Sequence, residues 1–153
     1  WAVRALYVGY RFCNTDVYCP WDVINYCDGL RADPSALPKN YWANTSGNDL
    51  IRRLLRQSNQ SAKGEMEELL GGGQVTKRVK QELTYREIDE SDENLWSVLY
   101  ATGYLTGKQV GQADADLFQL WIPNGEIRKL FADLVAEWCH ETARASSARL
   151  NRF

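Results

Sequence analysis

Apolar residues recur at helical spacing in several parts of the chain, and two of these repeats are long. The first follows Ser46 and Asp49, which are spaced as in an N-terminal helix cap. Its stripe consists of Leu50, Ile51, Leu54 and Leu55. The second follows Asn124 and consists of Ile127, Leu130, Phe131, Leu134, Val135, Trp138 and Cys139. Both patterns predict amphipathic helices.

Three further helices follow from shorter signals. Pro20 suits the first turn of a helix, and Gly29 is typical of its end. Apolar residues over 61–70 predict a second helix, which three glycines end. Residues 92–102 predict a third, because acidic residues precede it and favour a helix N-terminus, and Gly103 closes it.

Alternating apolar residues predict a small amount of β structure. Alternation over 75–83 predicts a short strand with one apolar side. Residues 104–106 and 117–122 predict two more strands around a polar turn. Because 117–122 is apolar on both sides, we expect it to be covered on both faces. The patterns together predict a fold that is mostly α with a small β component.

Composition and charge narrow the class of protein. The chain is 44% hydrophobic and 25% charged, which is ordinary for a globular protein, and its net charge is -2. The broad basic surface that is typical of nucleic-acid binding is therefore absent. The first residue is Trp1 rather than Met, and no apolar run has the length of a membrane span. We expect a piece of a longer cytoplasmic protein with no membrane partner.

The common sequence motifs of catalysis and metal binding are missing. There is no GxxxxGK[ST] phosphate loop, GxGxxG, GxSxG or HExxH. Cys13, Cys19 and Cys27 lack the close pairs of a zinc site. The adjacent Cys139 and His140 point about 100° apart on a helix. We expect no catalytic residue, no metal site and no cofactor in this chain, and an enzyme that acts alone is the least supported hypothesis.

The predicted helix over 92–102, the two strands after it and the last helix form a helix-hairpin-helix order. This order predicts a winged-helix-like unit. A winged helix reads DNA with a basic helix, whereas 92–102 contains no Lys or Arg. Packing within a protein is therefore the better supported role. The alternative is a nucleic-acid-binding winged-helix module that uses Arg144, Arg149 and Arg152.

Seven short strings share their order with a known family. They are GYRF at 9–12, VYCPWDVINY at 17–26, YWANTSGN at 41–48, ELTY at 82–85, NLWSVL at 94–99, TGYLT at 102–106 and IPNGEIR at 122–128. Together with Phe131 they resemble the middle region of bacterial AAA-ATPase-like proteins, over roughly residues 5 to 138. The chain departs at Cys13, where the family has Gly, and at Cys19, where it has Asn. These changes weaken the expected nucleotide contact.

The resemblance implies a domain arrangement. Family members carry an N-terminal P-loop ATPase core that uses ATP and Mg²⁺, and many end in a PD-(D/E)XK nuclease-like domain. On this basis residues 1–72 form a helical lid-like region, 73–143 a winged-helix-like subdomain and 144–153 a basic tail or linker. The chain would be a non-catalytic regulatory or structural module that packs near the nucleotide. Its partners would be the ATPase core and the C-terminal domain of the same protein.

The resemblance also implies which residues lie near the nucleotide or between domains. They are Tyr10, Arg11, Pro20, Trp42, Asn44, Thr45 and Ser46. Arg11 has two interpretations, because a guanidinium group binds either a phosphate or a carboxylate through two hydrogen bonds. ATP and Mg²⁺ are implied for the parent protein, not for this chain.

Overall fold

Six helices and five strands make up the part of the chain that the computed structural model describes, which is residues 2–12, 15–39, 41, 47–80, 82–84, 86–89, 91, 93–111 and 114–150. The helices are α1 (Ala2–Tyr7), α2 (Pro20–Ala32), α3 (Gly47–Gln57), α4 (Gln60–Leu70), α5 (Asn94–Ala101) and α6 (Gly125–Leu150). The strands are β1 (Val8–Phe12), β2 (Thr15–Tyr18), β3 (Val75–Arg78), β4 (Thr106–Gln109) and β5 (Leu117–Trp121). A short 3₁₀ turn covers Glu87–Asp89. The prediction of a mostly α fold with a small β component is confirmed.

The strands form two separate antiparallel sheets. β1 and β2 form a hairpin, and β5 lies between β3 and β4 in a three-stranded sheet. Val75 of β3 lies opposite Leu120 of β5. Phe118 and Leu120 are buried in the core, and the other three residues of β5 are half-buried. One face of β5 is thus fully covered and the other is partly covered.

The predicted strand at 104–106 is wrong in position. Strand β4 begins at Thr106 and continues through the polar residues to Gln109. The N–H of Leu105 donates to the carbonyl of Leu99 at 2.9 Å, which keeps the chain in a turn after α5. Because β4 pairs with β5 on one side only, its side chains beyond Gly107 are exposed. An exposed edge strand shows no apolar alternation.

The predicted end of α2 at Gly29 is also wrong, because the helix continues to Ala32. The N–H of Asp33 donates to the carbonyl of Gly29 at 2.9 Å, so a helical hydrogen bond spans the glycine. A glycine inside a helix costs only about 1 kcal/mol relative to alanine, so Gly29 alone does not end the helix.

The ends of α4 and the start of α6 follow the predicted chemistry. Gly72 has a φ of +90° after α4, a conformation that favours glycine. The guanidinium of Arg128 donates to the carbonyl of Leu70 at 2.6 Å and satisfies the end of the same helix. At α6 the side-chain oxygen of Asn124 accepts from the N–H of Ile127 at 3.0 Å, as a helix cap does.

One hydrophobic core joins α3 to α6 and the three-stranded sheet. Its fully buried side chains include Ile51, Leu55, Met66, Leu99, Leu120 and Phe131. On the surface Arg52 and Arg56 of α3 pair with Glu137 and Glu141 of α6. Helices α3 and α4 therefore share a core with the residues after 72. We call α3 to α6 and the three-stranded sheet, which share this core, the body of the protein. The N-terminal elements pack against it.

Candidate functional site

The string GYRF at 9–12 forms most of β1, and the β1–β2 hairpin lies against the chain just before α6. Gly9 has a φ of +139°, and a Cβ there would lie 1.7 Å from the carbonyl oxygen of Pro123. The N–H of Cys19 donates to the carbonyl of Tyr7 at 2.9 Å and ties the end of the hairpin to α1. Only glycine permits this close approach, so the contact of the hairpin with Pro123 depends on Gly9.

Tyr10, a predicted site residue, connects the hairpin to the turn between α5 and β4. Its hydroxyl donates to the carbonyl of Gly103 at 2.8 Å, across 93 positions of sequence. Burial raises the pKa of the Tyr10 phenol, and the negative charges of Cys19 and Asp22 raise it further. The neutral hydroxyl therefore stays a hydrogen-bond donor, and Tyr10 links the N-terminal elements to the sheet region.

Arg11 lies on the exposed edge of the hairpin beside a carboxylate. Its Nε is 3.5 Å from Oδ1 of Asp16 on β2, and both side chains are exposed. Arg11 thus contacts a carboxylate in this structure, and its contact with a phosphate stays a prediction. Pro20 is exposed at the first position of α2. The remaining predicted site residues lie outside the described residues: Trp42, Asn44, Thr45 and Ser46.

Two acidic residues that the sequence does not single out are buried behind the hairpin. Asp22 in the first turn of α2 is 0% exposed, and neither of its carboxylate oxygens has a hydrogen-bond partner among the described residues. Glu126 in the first turn of α6 is 1% exposed and accepts a hydrogen bond from the backbone N–H of Tyr41. A helix N-terminus stabilises a carboxylate by at most about 2 kcal/mol, whereas an unpaired buried charge costs several. A contribution to stability therefore does not explain why Asp22 is buried without a partner among the described residues.

Three tyrosines feel the charges of both carboxylates, and the ring of one of them packs between two other tyrosine rings. The ring of Tyr7 lies 6.1 Å from that of Tyr26 and 6.3 Å from that of Tyr41. Burial raises the pKa of Tyr7 to about 12, and the charges of Glu126 and Asp22 contribute smaller increases. Both charges also act on Tyr10 and Tyr41. We call this group the tyrosine–carboxylate cluster, and its members are Tyr7, Tyr10, Tyr41, Asp22 and Glu126.

The burial of α2 is the reverse of that expected for a surface helix. Of its 13 residues, all described, only Asp22 is buried. Trp21 is 57% exposed and Ile24 is 61% exposed, one helical turn apart. Tyr18, which comes just before α2, is 46% exposed. We call Tyr18, Trp21 and Ile24 the α2 face, and it is an apolar surface next to the cluster.

The structure does not test the predicted nucleic-acid contact of Arg144, Arg149 and Arg152, because only Arg144 has a described side chain. All residues from Asn94 to Leu99 of α5 are buried. Arg144 is exposed on α6, while the side chain of Arg149 and all of Arg152 lie outside the described residues. Helix α5 therefore presents no basic surface to solvent.

A cleft of about 370 Å³ lies between α4 and β3, and the sequence does not indicate it. Lys77 extends along it, forms an ion pair with Glu65 and places its ammonium 5.0 Å from the ring centroid of Trp96. Arg78 on the same strand pairs with Asp114 at 2.7 Å. Three of the four charged residues that line this cleft, Glu65, Lys77 and Arg78, are thus paired within the chain.

A comparison with known protein families, with curated proteins and with solved structures finds no match to this chain. The family resemblance therefore stays a prediction. Within the described ranges, no three His, Cys, Asp or Glu side chains form a metal-binding group. No helix in the same ranges is both long and apolar enough to cross a lipid bilayer.

We expect an alkaline titration to show phenols that ionise well above the pH of free tyrosine. Burial raises the pKa of Tyr7 and of Tyr104 to about 12, and it raises that of Tyr10 as well. For Tyr7 and Tyr104 the folded pKa exceeds the unfolded value of 10.0, so the stabilisation from these two phenols is complete below pH 10.0 and is lost as the pH rises through about 12. Tyrosinate absorbance in native buffer and in concentrated urea measures the folded and the unfolded pKa. A single native transition at the pH of free tyrosine would contradict this assignment.

Proposed function

We propose that this chain is a non-catalytic regulatory or structural module of an AAA-ATPase-like protein. It docks on the ATPase core through the α2 face and links that core to a C-terminal effector domain. The observation that carries the proposal is the reversed burial of α2, with Trp21 57% and Ile24 61% exposed while Asp22 is 0% exposed. A surface helix normally turns its apolar side chains inward. An outward apolar face beside polar residues is typical of a protein interface.

The order of elements after α3 supports a winged-helix-like subdomain. From α4 onward the chain runs helix, strand, 3₁₀ turn, helix and two strands, and β5 lies between β3 and β4. In a winged helix of this order, α5 takes the place of the helix that reads DNA. Here residues 94–99 of α5 are buried, and none is basic. This burial supports a packing role over the nucleic-acid alternative.

The contacts of the hairpin support a role in relaying the state of the core. Tyr10 bonds to Gly103 in the α5–β4 turn, and Gly9 lies on Pro123 just before α6. If the ATPase core displaced the hairpin, the displacement would act on both contacts, the one at Gly103 and the one at Pro123. Helix α6 has 26 residues and is about 39 Å long, so it extends from the cluster towards the C-terminal end of the chain. ATP and Mg²⁺ belong to the core in this proposal and not to this chain.

The reading frame around this sequence tests the assignment at once. A GxxxxGK[ST] phosphate loop upstream and a D…ExK pattern downstream would support it. A start codon and a stop codon at the two ends would contradict it.

Hydrogen exchange tests the docking of the α2 face. In the longer protein we expect the amides of α2 to exchange at least about ten-fold more slowly than in the isolated chain, because a packed partner suppresses local opening. The double variant Trp21→Ser with Ile24→Ser should remove most of this protection and change ATP turnover. Val110→Ser is the matched control, since Val110 is an exposed apolar residue that follows β4 and lies outside α2.

Two results would contradict the docking of the α2 face on the core. One is equal exchange of α2 in the isolated chain and in the longer protein. The other is concentration-dependent protection in the isolated chain that the double variant removes, because a second copy would then cover the face. Sedimentation of the isolated chain distinguishes these outcomes.

A further inference from the structure

Asp22 is a buried carboxylate with no partner in the described part of the chain, and we propose that it anchors a binding site for an organic cation. The cation is the guanidinium or ammonium group of a side chain on the domain that docks on α2. The source of the cation rests on the proposed function, whereas the cation site itself does not. Asp22 is 0% exposed, and both carboxylate oxygens lack a hydrogen-bond donor among the described residues.

Other acidic residues near Asp22 have partners, which makes it distinct. Glu126 accepts the N–H of Tyr41, and Asp16 pairs with Arg11. Asp33, just after α2, accepts from the hydroxyl of Ser35 at 2.6 Å. No ion pair joins Asp22 to a Lys or Arg among the residues described. A buried carboxylate needs a cation and hydrogen bonds to be tolerated, so Asp22 has the chemistry of one half of an ion pair.

The surroundings of Asp22 favour a cation. The charges of Asp22 and Glu126 both act on Tyr7, Tyr10 and Tyr41. Tyrosine rings also attract cations through their faces, and Lys39 already places its ammonium 5.7 Å from the ring centroid of Tyr41.

An organic cation fits this cluster better than a metal ion. The described residues form no group of three metal-ligating side chains. A guanidinium group binds a carboxylate through two hydrogen bonds and stacks on aromatic rings.

Tyr41 is placed to open the cluster. It is half-buried, its ring packs on Tyr7, and its backbone N–H contacts Glu126 at the start of α6. Its hydroxyl would be 3.7 Å from a Cβ at Gly29, so the ring lies against the inner side of α2. Outward rotation of this one side chain would therefore uncover the space between α2 and the start of α6. Side-chain rotations of this kind are fast compared with domain docking.

Thermal unfolding with methylguanidinium chloride as the probe tests the cation site in the isolated chain. At a probe concentration about ten-fold above its Kd, we expect the Tm to rise by about 3–5 °C relative to sodium chloride at equal ionic strength. The variant Asp22→Asn should abolish this rise. Without the probe, the same variant should have a higher Tm than the wild type, because it removes the unpaired buried charge. Asp28→Asn, at an exposed position of the same helix, is the matched control and should keep the rise.

The possible outcomes separate the cation site from the docking proposal. An equal rise in the wild type and in Asp22→Asn would be a general salt effect and would overturn the cation site. No rise in the wild type, with no gain in Tm from Asp22→Asn, would mean that the chain itself satisfies the carboxylate, which also overturns it. If the rise depends on Asp22 but α2 gains no protection in the longer protein, the cation site stands and the docking on the core fails.

Discussion

Gly9→Ala is expected to lower the free energy of unfolding by at least about 3 kcal/mol, because it combines backbone strain with a steric clash. Gly9 has a φ of +139°, and a new Cβ would lie 1.7 Å from the carbonyl oxygen of Pro123. Both groups are backbone, so no side-chain rotation relieves the contact. The β1–β2 hairpin would have to leave the body, and Tyr10 would lose its hydrogen bond to Gly103. Urea unfolding followed by tryptophan fluorescence measures the loss.

Gly64→Ala is the matched control for this variant. Gly64 lies inside α4, and a Cβ there meets nothing within 4 Å. Alanine should therefore stabilise the protein by about 0.5–1 kcal/mol through its higher helix propensity. Similar unfolding free energies for the two variants would contradict the placement of the hairpin against Pro123. Such a result would also remove the physical link on which the relay role depends.

The helices that the sequence predicts well are those whose burial follows a regular period. The stripe from Leu50 to Leu55 and the repeat from Ile127 to Trp138 enter a single core, as their spacing predicts. Caps are similarly local, because Asn124 bonds to an N–H only three residues away. Local spacing contains this information, so no knowledge of the rest of the fold is needed.

The candidate site depends on contacts that local patterns do not contain. Tyr10 and Gly103 are 93 positions apart, and Tyr41 and Glu126 are 85 apart. An acidic residue in the first turn of a helix, as Asp22 is, ordinarily indicates a solvated end stabilised by the helix dipole. The one available signal was its position in the apolar string PWDVI, where a lone carboxylate is unusual.

The side of α2 that faces the rest of the protein could not be predicted for a related reason. Trp21 and Ile24 have helical spacing, which normally indicates the side that packs on the core. Both are exposed, while the inner side of the helix presents Asp22 to the cluster. A pattern of apolar residues indicates that a face is covered but not by which domain. If the α2 face is an interface, its sequence satisfies a partner that lies outside this chain.

Leu99→Ala is expected to lower the free energy of unfolding by about 2–5 kcal/mol, the range for a large-to-small change in a tight core. Leu99 is 0% exposed and belongs to the core formed by α3 to α6 and the three-stranded sheet. Ala101→Ser, at an exposed position of the same helix, should change stability by less than about 0.5 kcal/mol. The denaturant midpoints of the two variants, compared at equal m-values, give both changes in the free energy of unfolding.

The Leu99 result bears on function as well as on stability. In the proposed winged-helix-like arrangement, α5 takes the place of the DNA-reading helix, and such a helix keeps one face free for the groove. A helix with Leu95, Trp96, Val98 and Leu99 all buried has no free face of that kind. A large loss of unfolding free energy in Leu99→Ala, together with a negligible loss in Ala101→Ser, therefore favours a module that packs within a protein. A cost below about 1 kcal/mol for Leu99→Ala would instead place α5 at the surface and return support to the nucleic-acid alternative.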